Sequence, residues 1–222
     1  GGPMASRPVR WILATAGVFL AGALVPGAIH ADRIRVAALA LRTRNLPVDV
    51  RKDIAYRRVD DVALKADTYT PRDGKPTHPA IVMYHGGTWR SGSKEQVADL
   101  ALAMSRMGYV VVVPNYRLAP RHQWPAQIED ARAAVRWTRR HARDLGVEPN
   151  RIAAVGFSAG AHLAALVGTS RGEQYLKADV ADVSAEVQAV VGISGPYDLD
   201  RWSSEPDADY LAFFLGGTYR QR

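Results

Sequence analysis

The stretch Gly156-Phe157-Ser158-Ala159-Gly160 decides how the rest of this chain is interpreted. It follows a compact apolar run at residues 151–155 that predicts a buried strand, and it precedes a small-residue segment at residues 161–168 that predicts a helix. Glycine at both ends permits the sharp turn and the close backbone approach of a strand-to-helix elbow. Because the first amides of a helix have no partner inside it, a serine placed there lies beside groups that can stabilise an oxyanion. The stretch therefore predicts Ser158 as a catalytic nucleophile, and a plain tight turn is the alternative.

A second glycine-rich motif follows a predicted central strand. Residues 80–84 form an unbroken apolar run, as expected of a strand covered on both faces, and His85-Gly86-Gly87-Thr88-Trp89 follows directly. Two adjacent glycines allow backbone amides to turn toward a carbonyl oxygen that becomes negative during acyl transfer. We therefore predict an oxyanion hole made by the amides of Gly86, Gly87 and Ala159. His85 is expected to brace this loop by hydrogen bonds rather than to act as a general base.

The remaining patterns predict strands that alternate with helices. Ser93 is expected to cap a helix over residues 94–107, and Pro125 lies at the start of another. Such an alternation is typical of an α/β fold with a mostly parallel sheet and helices on both faces. Its functional loops then leave the carboxyl ends of strands, where sites form in such sheets. Four further strands are expected, at residues 54–59, 62–69, 109–113 and 187–194.

The helix predicted after Pro125 carries one apolar stripe, which indicates a single buried face. Five arginines lie off this stripe and are interpreted as a solvated face rather than as a site for an acidic partner. The stripe consists of Ile128, Ala131, Val135, Thr138, Ala142 and Leu145. The arginines are Arg132, Arg136, Arg139, Arg140 and Arg143.

Composition narrows the class of protein. The 222 residues suffice for one sizeable core, and the formal net charge is +7. Six arginines and one aspartate lie within residues 1–44, so the remainder is nearly neutral and the charge is not a nucleic-acid footprint. The chain has no cysteine, which excludes disulfides and thiolate metal sites. We expect no nucleic-acid partner, no metal and no organic cofactor, because the six histidines show no ligand spacing.

The basic start of the chain is interpreted as a targeting feature. Arg7 and Arg10 precede an uncharged run at residues 11–31, as in a secretion signal, and the run is also long enough to act as a membrane anchor. We therefore expect a signal peptide or anchor at residues 1–31, a linker at residues 32–49 and a catalytic domain at residues 50–222. The expected location is the periplasm or the extracellular space. The alternative is a protein tethered to the membrane through residues 11–31.

Together these motifs resemble the alpha/beta-hydrolase superfamily, and within it the esterase/lipase group of hormone-sensitive-lipase-like and feruloyl-esterase-like (BD-FAE-type) enzymes. The resemblance covers roughly residues 50–217 in the family's order. Besides the two glycine motifs it rests on Asp67-Thr68-Tyr69-Thr70-Pro71, Asn115-Tyr116-Arg117-Leu118-Ala119-Pro120, Pro125-Ala126-Gln127-Ile128-Glu129-Asp130 and Gly195-Pro196-Tyr197-Asp198-Leu199. Ala161 departs from a glycine that is common after the elbow in this family.

The resemblance implies a Ser-Asp-His triad in that chain order, with Ser158 attacking an ester carbonyl and forming an acyl-enzyme. No histidine follows His162, so the triad aspartate and histidine are expected beyond residue 222. The last strands of the fold are likewise expected to be missing, and the 222 residues alone to be inactive or nearly so. Asp198 and Asp200 precede the family's acid position and are not assigned to it.

The sequence thus predicts a serine carboxylic-ester hydrolase that acts on a small-molecule ester. The alternative from another class is a non-catalytic, hydrolase-like binding protein or an inactive fragment. A third interpretation keeps the fold and makes Ser158 only a turn residue.

Overall fold

The computed structural model describes residues 10–12, 46–170, 183–199 and 209–216. Within these residues seven strands form one sheet. They are β1 (Arg10–Ile12), β2 (Val48–Val59), β3 (Val62–Pro71), β4 (His78–Tyr84), β5 (Val110–Pro114), β6 (Val147–Phe157) and β7 (Ala189–Ile193). A short 3-10 helix (Lys94–Val97) leads into the first of the five α-helices that the described residues contain. These helices are α1 (Ala98–Arg106), α2 (Ala126–Arg140), α3 (Ala142–Leu145), α4 (Ala159–Thr169) and α5 (Asp209–Leu215).

The sheet is mostly parallel, as predicted. Its strand order is β1-β7-β6-β4-β5-β3-β2, and only the pairs β5–β3 and β3–β2 are antiparallel. In the central strands, Tyr84 of β4 pairs with Gly156 of β6, and Phe157 of β6 pairs with Ile193 of β7. The carboxyl ends of three neighbouring strands are therefore level, and the loops that leave them start at one edge of the sheet.

The two faces of the sheet carry separate hydrophobic clusters. Side chains alternate along a strand, so Ala80 and Val82 point to one face while Ile81 and Met83 point to the other. The first face packs against α2, α4 and α5, and the second packs against α1. Residues 80–84 are all buried, which explains why β4 is an unbroken apolar run rather than an alternating one.

The predicted hairpin is present, and it starts earlier than expected. The strands β2 and β3 pair across the Asp60-Asp61 turn, and Asp60 adopts a left-handed φ of 50°. Strand β2 begins at Val48, which pairs with Pro71. The linker boundary expected at residue 49 therefore lies within β2. The part of β2 before Asp53 was not expected as a strand, because one side of an edge strand faces solvent. Its residues there include charged side chains and form no apolar run.

The helix expected over residues 94–107 differs at its start. Its first turn is the 3-10 helix Lys94–Val97, and α1 then ends at Arg106. Ser93 makes no side-chain capping hydrogen bond, so the predicted serine cap is wrong. The Lys94 amide instead donates to the Asn115 side-chain oxygen at 2.7 Å, so a side chain from the loop after β5 satisfies that amide.

The predicted apolar stripe after Pro125 is buried. The prediction that the five arginines form a solvated face is wrong for some of them. Arg132 and Arg136 are buried on α2. Arg132 donates to the Ser170 carbonyl at 3.0 Å, and Arg136 donates to the Val183 carbonyl at 3.1 Å. The Arg139 guanidinium donates to the carbonyls of Pro149, Ser184 and Glu186. These arginines are held by backbone oxygens from the end of α4, from β6 and from the chain leading into β7, which lie along this side of α2.

The predicted targeting segment is described at three residues only. Arg10–Ile12 forms the edge strand β1 and pairs in parallel with Ala189–Val191 of β7. Residues 1–9 and 13–45 lie outside the described residues, so the signal peptide or anchor stays a prediction. Among the helices that the structure describes, none combines the length and apolar character needed to cross a bilayer.

Candidate active site

The elbow between β6 and α4 holds Ser158 in a strained conformation. Its φ of 52° and ψ of −119° lie outside the regions that a non-glycine residue normally occupies. The Ser158 amide donates to the Ile193 carbonyl at 2.9 Å, and the Ser158 carbonyl accepts from the amides of Ala161 and His162. The neighbouring strand and the first turn of α4 therefore fix the backbone on both sides of the serine.

Gly160 brings this elbow against the end of β4. A Cβ atom at Gly160 would overlap the carbonyl oxygens of Tyr84 and His85. Only glycine allows that approach, so the start of α4 lies directly on the strand that carries the second motif. The two motifs identified in the sequence thus meet in space at adjacent strand ends.

The glycine loop after β4 passes beside the serine. A Cβ atom at Gly86 would lie 3.3 Å from the Ser158 Cβ. Gly87 adopts a φ of 114°, and its carbonyl accepts from the amides of Arg90 and Ser91 at 3.0 Å each. This tight turn determines the orientation of the peptide groups on either side of the two glycines.

Ala159 is the first residue of α4 and is buried. The helical hydrogen bonds to the Ser158 carbonyl start at Ala161 and His162, so the Ala159 amide precedes them. Ser158, Gly86, Gly87 and Ala159 therefore lie at one edge of the sheet. A serine oxygen beside backbone amides of a glycine loop and a helix start is suited to attack a carbonyl and stabilise the resulting oxyanion.

His85 is enclosed at the base of the glycine loop. Its Nδ1 donates to the Gly86 carbonyl at 2.7 Å, which fixes the tautomer, and its ring stacks on Tyr116 with the centroids 4.3 Å apart. The Tyr116 hydroxyl donates to the His85 carbonyl at 2.9 Å. Burial lowers the pKa of His85, and the hydrogen bond to Gly86 opposes that shift. These contacts are those of a neutral histidine that holds the loop.

An aromatic cluster that sequence reasoning missed lies one helical turn beyond Ser158. His162 sits among Trp89, Trp124 and Phe214, and Trp89 stacks on Phe214 with ring centroids 4.2 Å apart. Burial lowers the pKa of His162 to about 4. The signal was weak, because Trp89 ends the glycine-loop motif, His162 lies two residues after the elbow motif, and Phe214 is more than 50 residues away in sequence.

A buried ionic network supports the loop that carries Tyr116. Asp130 accepts from the Arg117 amide at 2.9 Å, from the Arg117 guanidinium at 2.8 and 2.9 Å, and from Arg57 at 2.6 Å. Arg117 also pairs with Glu129 at 2.8 Å. Asp130 thus links α2, β2 and the loop after β5. Its carboxylate oxygens accept hydrogen bonds from the two arginines and not from Ser158.

The hydroxyl of Ser158 lacks a side-chain partner in the part of the chain that the structure describes. Asp198 lies exposed in the loop after β7, and Asp200 lies outside the described residues. Among the described residues, no group of three or more histidines or carboxylates is arranged to hold a metal ion. The residues predicted as nucleophile and oxyanion donors therefore lie together, and no side chain among the described residues is placed to take a proton from the Ser158 hydroxyl.

A model of the BD-FAE family matches residues 66–222 of the chain. Esterase LipC from Mycobacterium tuberculosis is 35% identical over 170 residues, which is 73% of this chain and 42% of LipC. The chain thus spans less than half the length of LipC.

Solved structures of Thermogutta terrifontis esterase 2 share the fold. The form phosphorylated by paraoxon has a TM-score of 0.62 and 34% identity, covering 72% of this chain and 63% of that chain. The propionate-bound form has a TM-score of 0.63 and 32% identity, covering 79% of this chain and 64% of that chain. The chain has the alpha/beta-hydrolase fold, as the sequence motifs predicted.

Proposed function

This chain belongs to the BD-FAE family, and from that premise we propose that it hydrolyses carboxylic esters of short acyl groups through an acyl-enzyme on Ser158. The observation that carries the proposal is the strained Ser158 beside Gly86, at the point where the elbow meets the glycine loop. Esterase activity and a bound propionate are attributes of the relatives, and here they support the choice of substrate class.

In the proposed reaction the Ser158 Oγ attacks the carbonyl carbon of the ester and loses its proton to a base outside the described residues. The carbonyl oxygen becomes an oxyanion, which accepts hydrogen bonds from the amides of Gly86, Gly87 and Ala159. The intermediate then expels the alcohol, which takes up the proton. Water attacks the acyl-enzyme in the second half, and the acid leaves as Ser158 regains its hydrogen.

His85 acts in this proposal as a positioning residue. Its hydrogen bond to the Gly86 carbonyl holds the peptide group that precedes Gly87, and Tyr116 fixes the ring by stacking. A neutral imidazole suits this role because a charged ring in the same buried position would have to be desolvated.

The test is ester hydrolysis by the protein as its host produces it. Ser158→Ala is expected to lower kcat/KM for p-nitrophenyl acetate by roughly 10³-fold or more, since attack by the side-chain oxygen is lost. Ser105→Ala is the matched control, because Ser105 is buried on α1 and its hydroxyl has no partner among the described residues. Hydrolysis at the wild-type rate by Ser158→Ala would mean that Ser158 is only a turn residue. Binding of the ester without turnover by the wild type would favour the binding-protein alternative.

A further inference from the structure

Three consecutive residues of the glycine loop have a left-handed backbone, and two of them are not glycine. The φ angles are 114° at Gly87, 51° at Thr88 and 58° at Trp89. For a β-branched residue such as threonine a positive φ is a genuine outlier, because the branched Cβ crowds the backbone. Glycine adopts this conformation without strain, and loops of the HGGG type have glycine at the position of Thr88. The chain therefore carries a strained side chain where glycine would fit.

The surroundings of Trp89 explain why it tolerates its conformation. Its ring is buried, stacks on Phe214 with the centroids 4.2 Å apart and meets His162 edge-on. Its carbonyl accepts from the Ala119 amide at 2.8 Å. Burial of a large aromatic ring and a backbone hydrogen bond thus hold Trp89 against its strain.

No comparable contacts hold Thr88. The residue is half-buried, and its hydroxyl forms no hydrogen bond within the part of the chain that the structure describes. A hydroxyl carries one donor and can also accept, so this group is available to a bound molecule. Strained residues that their own packing does not explain are concentrated at functional sites, where the strain is part of the mechanism.

The cavity beside the glycine loop does not account for Thr88 either. That cavity is lined by Gly86, Gly87, Gln96, Val97, Leu100 and Phe157. Thr88 lies outside this lining, so shaping the cavity between the loop, α1 and β6 is not the reason for its side chain.

Thr88 is close to the reacting position. A Cβ atom at Gly86 would lie 3.3 Å from the Ser158 Cβ, and Thr88 follows Gly86 by two residues. Two residues span at most about 7 Å even when fully extended, and the turn at Gly87 makes the distance shorter. A side chain at this position can therefore reach a group held on Ser158 beside the amides of Gly86 and Gly87.

We propose that the Thr88 hydroxyl donates a hydrogen bond to the carbonyl oxygen of the substrate as this oxygen becomes negative, in addition to the three backbone amides. The proposal rests on the proposed function, because the oxyanion forms only when Ser158 attacks an ester. A hydroxyl donates more strongly to a charged oxygen than to a neutral carbonyl, so the bond strengthens in the transition state. The strained backbone fixes the donor before the reaction, which avoids reorganisation during it.

The first test separates the hydroxyl from the shape of the side chain. With host-produced protein and p-nitrophenyl acetate, Thr88→Val is expected to lower kcat by roughly tenfold or more with little change in KM, because only the donor is lost. Thr88→Ser keeps the hydroxyl and is expected to retain most of the wild-type kcat. Thr70→Val is the matched control, since Thr70 follows Tyr69, which pairs with Val111 near the start of β5, at the opposite edge of the sheet.

The second test separates a functional role from a structural one. Thr88→Gly is expected to keep or raise the urea midpoint, because the strain is removed, and to lower kcat as Thr88→Val does. Asp60→Gly is its control and is expected to keep the wild-type kcat, since Asp60 has a φ of 50° in the exposed turn between β2 and β3. A residue with a purely structural role would lose stability and activity together.

A transition-state analogue gives a third readout. Trifluoroacetophenone forms a hemiketal on a reactive serine, and this adduct carries an oxyanion. Its inhibition constant is expected to rise in Thr88→Val by about the factor by which kcat/KM falls, because both report binding of the same oxygen.

The outcomes distinguish this assignment from the proposed function. A wild-type kcat and inhibition constant in Thr88→Val, or an equal loss of kcat in Thr88→Ser, overturns the Thr88 assignment while Ser158-dependent turnover stands. A higher KM at unchanged kcat also overturns it, because Thr88 would then bind the substrate and not its transition state. Turnover that survives Ser158→Ala overturns the proposed function, and the Thr88 assignment with it.

Discussion

At the scale of single residues, the candidate site depends on backbone positions that few side chains tolerate. Ser158 occupies a left-handed φ with an unusual ψ, and Gly160 has no room for a Cβ. Non-glycine strain of this kind costs of order 1–3 kcal/mol, so the surrounding hydrogen bonds to Ile193 and from His162 must hold it.

Gly160→Ala is expected to destabilise the protein by about 3 kcal/mol or more, because its Cβ meets two backbone carbonyls that cannot move independently. Chemical denaturation monitored by circular dichroism measures the loss. Gly108→Ala is the control, since Gly108 has a φ of 94° but no heavy atom within 4 Å of the added Cβ. That control is expected to cost only about 1–2 kcal/mol from its left-handed backbone. Equal losses in the two variants would mean that the collision at Gly160 is relieved by relaxation.

The residues of the elbow and of the glycine loop could be predicted because each motif is local. Five consecutive residues carry the turn, the proposed nucleophile and the small neighbours that it needs. Tyr116 could not be assigned in this way, since its stacking on His85 and its hydrogen bond to the His85 carbonyl join positions 31 residues apart. A single sequence gives no information on which aromatic side chain fills such a place.

At the scale of elements, helix α2 shows how periodicity predicts one face of a helix and not its opposite face. The apolar stripe through Ile128 and Val135 is buried as its spacing indicates. Arg132 and Arg136 are also buried, because the carbonyl oxygens of Ser170, at the end of α4, and of Val183, before β7, lie along that side. The spacing of arginines in a sequence does not show whether their side chains donate hydrogen bonds to water or to backbone carbonyls.

Arg139→Ala is expected to lower the free energy of unfolding by about 1–3 kcal/mol, since carbonyls of residues 149, 184 and 186 lose a shared donor. Arg143→Ala on α3 provides the exposed control and is expected to change it by less than about 0.5 kcal/mol. Urea unfolding curves of both variants beside the wild type give the comparison. Similar small effects at the two positions would restore the interpretation of Arg139 as a solvated surface residue.

At the scale of the whole molecule, the order of the strands brings together what the chain separates. β4 and β6 are neighbours in the sheet although more than 60 residues lie between them, and their carboxyl ends deliver Gly86 and Ser158 to one edge. Alternation of strands and helices predicted this edge, because parallel strands present the same end to the same side. The cavity beside the glycine loop joins residues of that loop, of α1 and of β6, so no single stretch of the sequence predicts it.

The most direct test of the central claim is to locate the covalent adduct of an organophosphate on the host-produced protein. After reaction with paraoxon and proteolysis, mass spectrometry is expected to find one diethylphosphoryl group, on the peptide that contains Ser158. Ser105→Ala is expected to keep the adduct, and Ser158→Ala is expected to lose it. A protein that hydrolyses esters while Ser158 stays unmodified, or that carries the adduct on another residue, would contradict the assignment of Ser158 as the nucleophile.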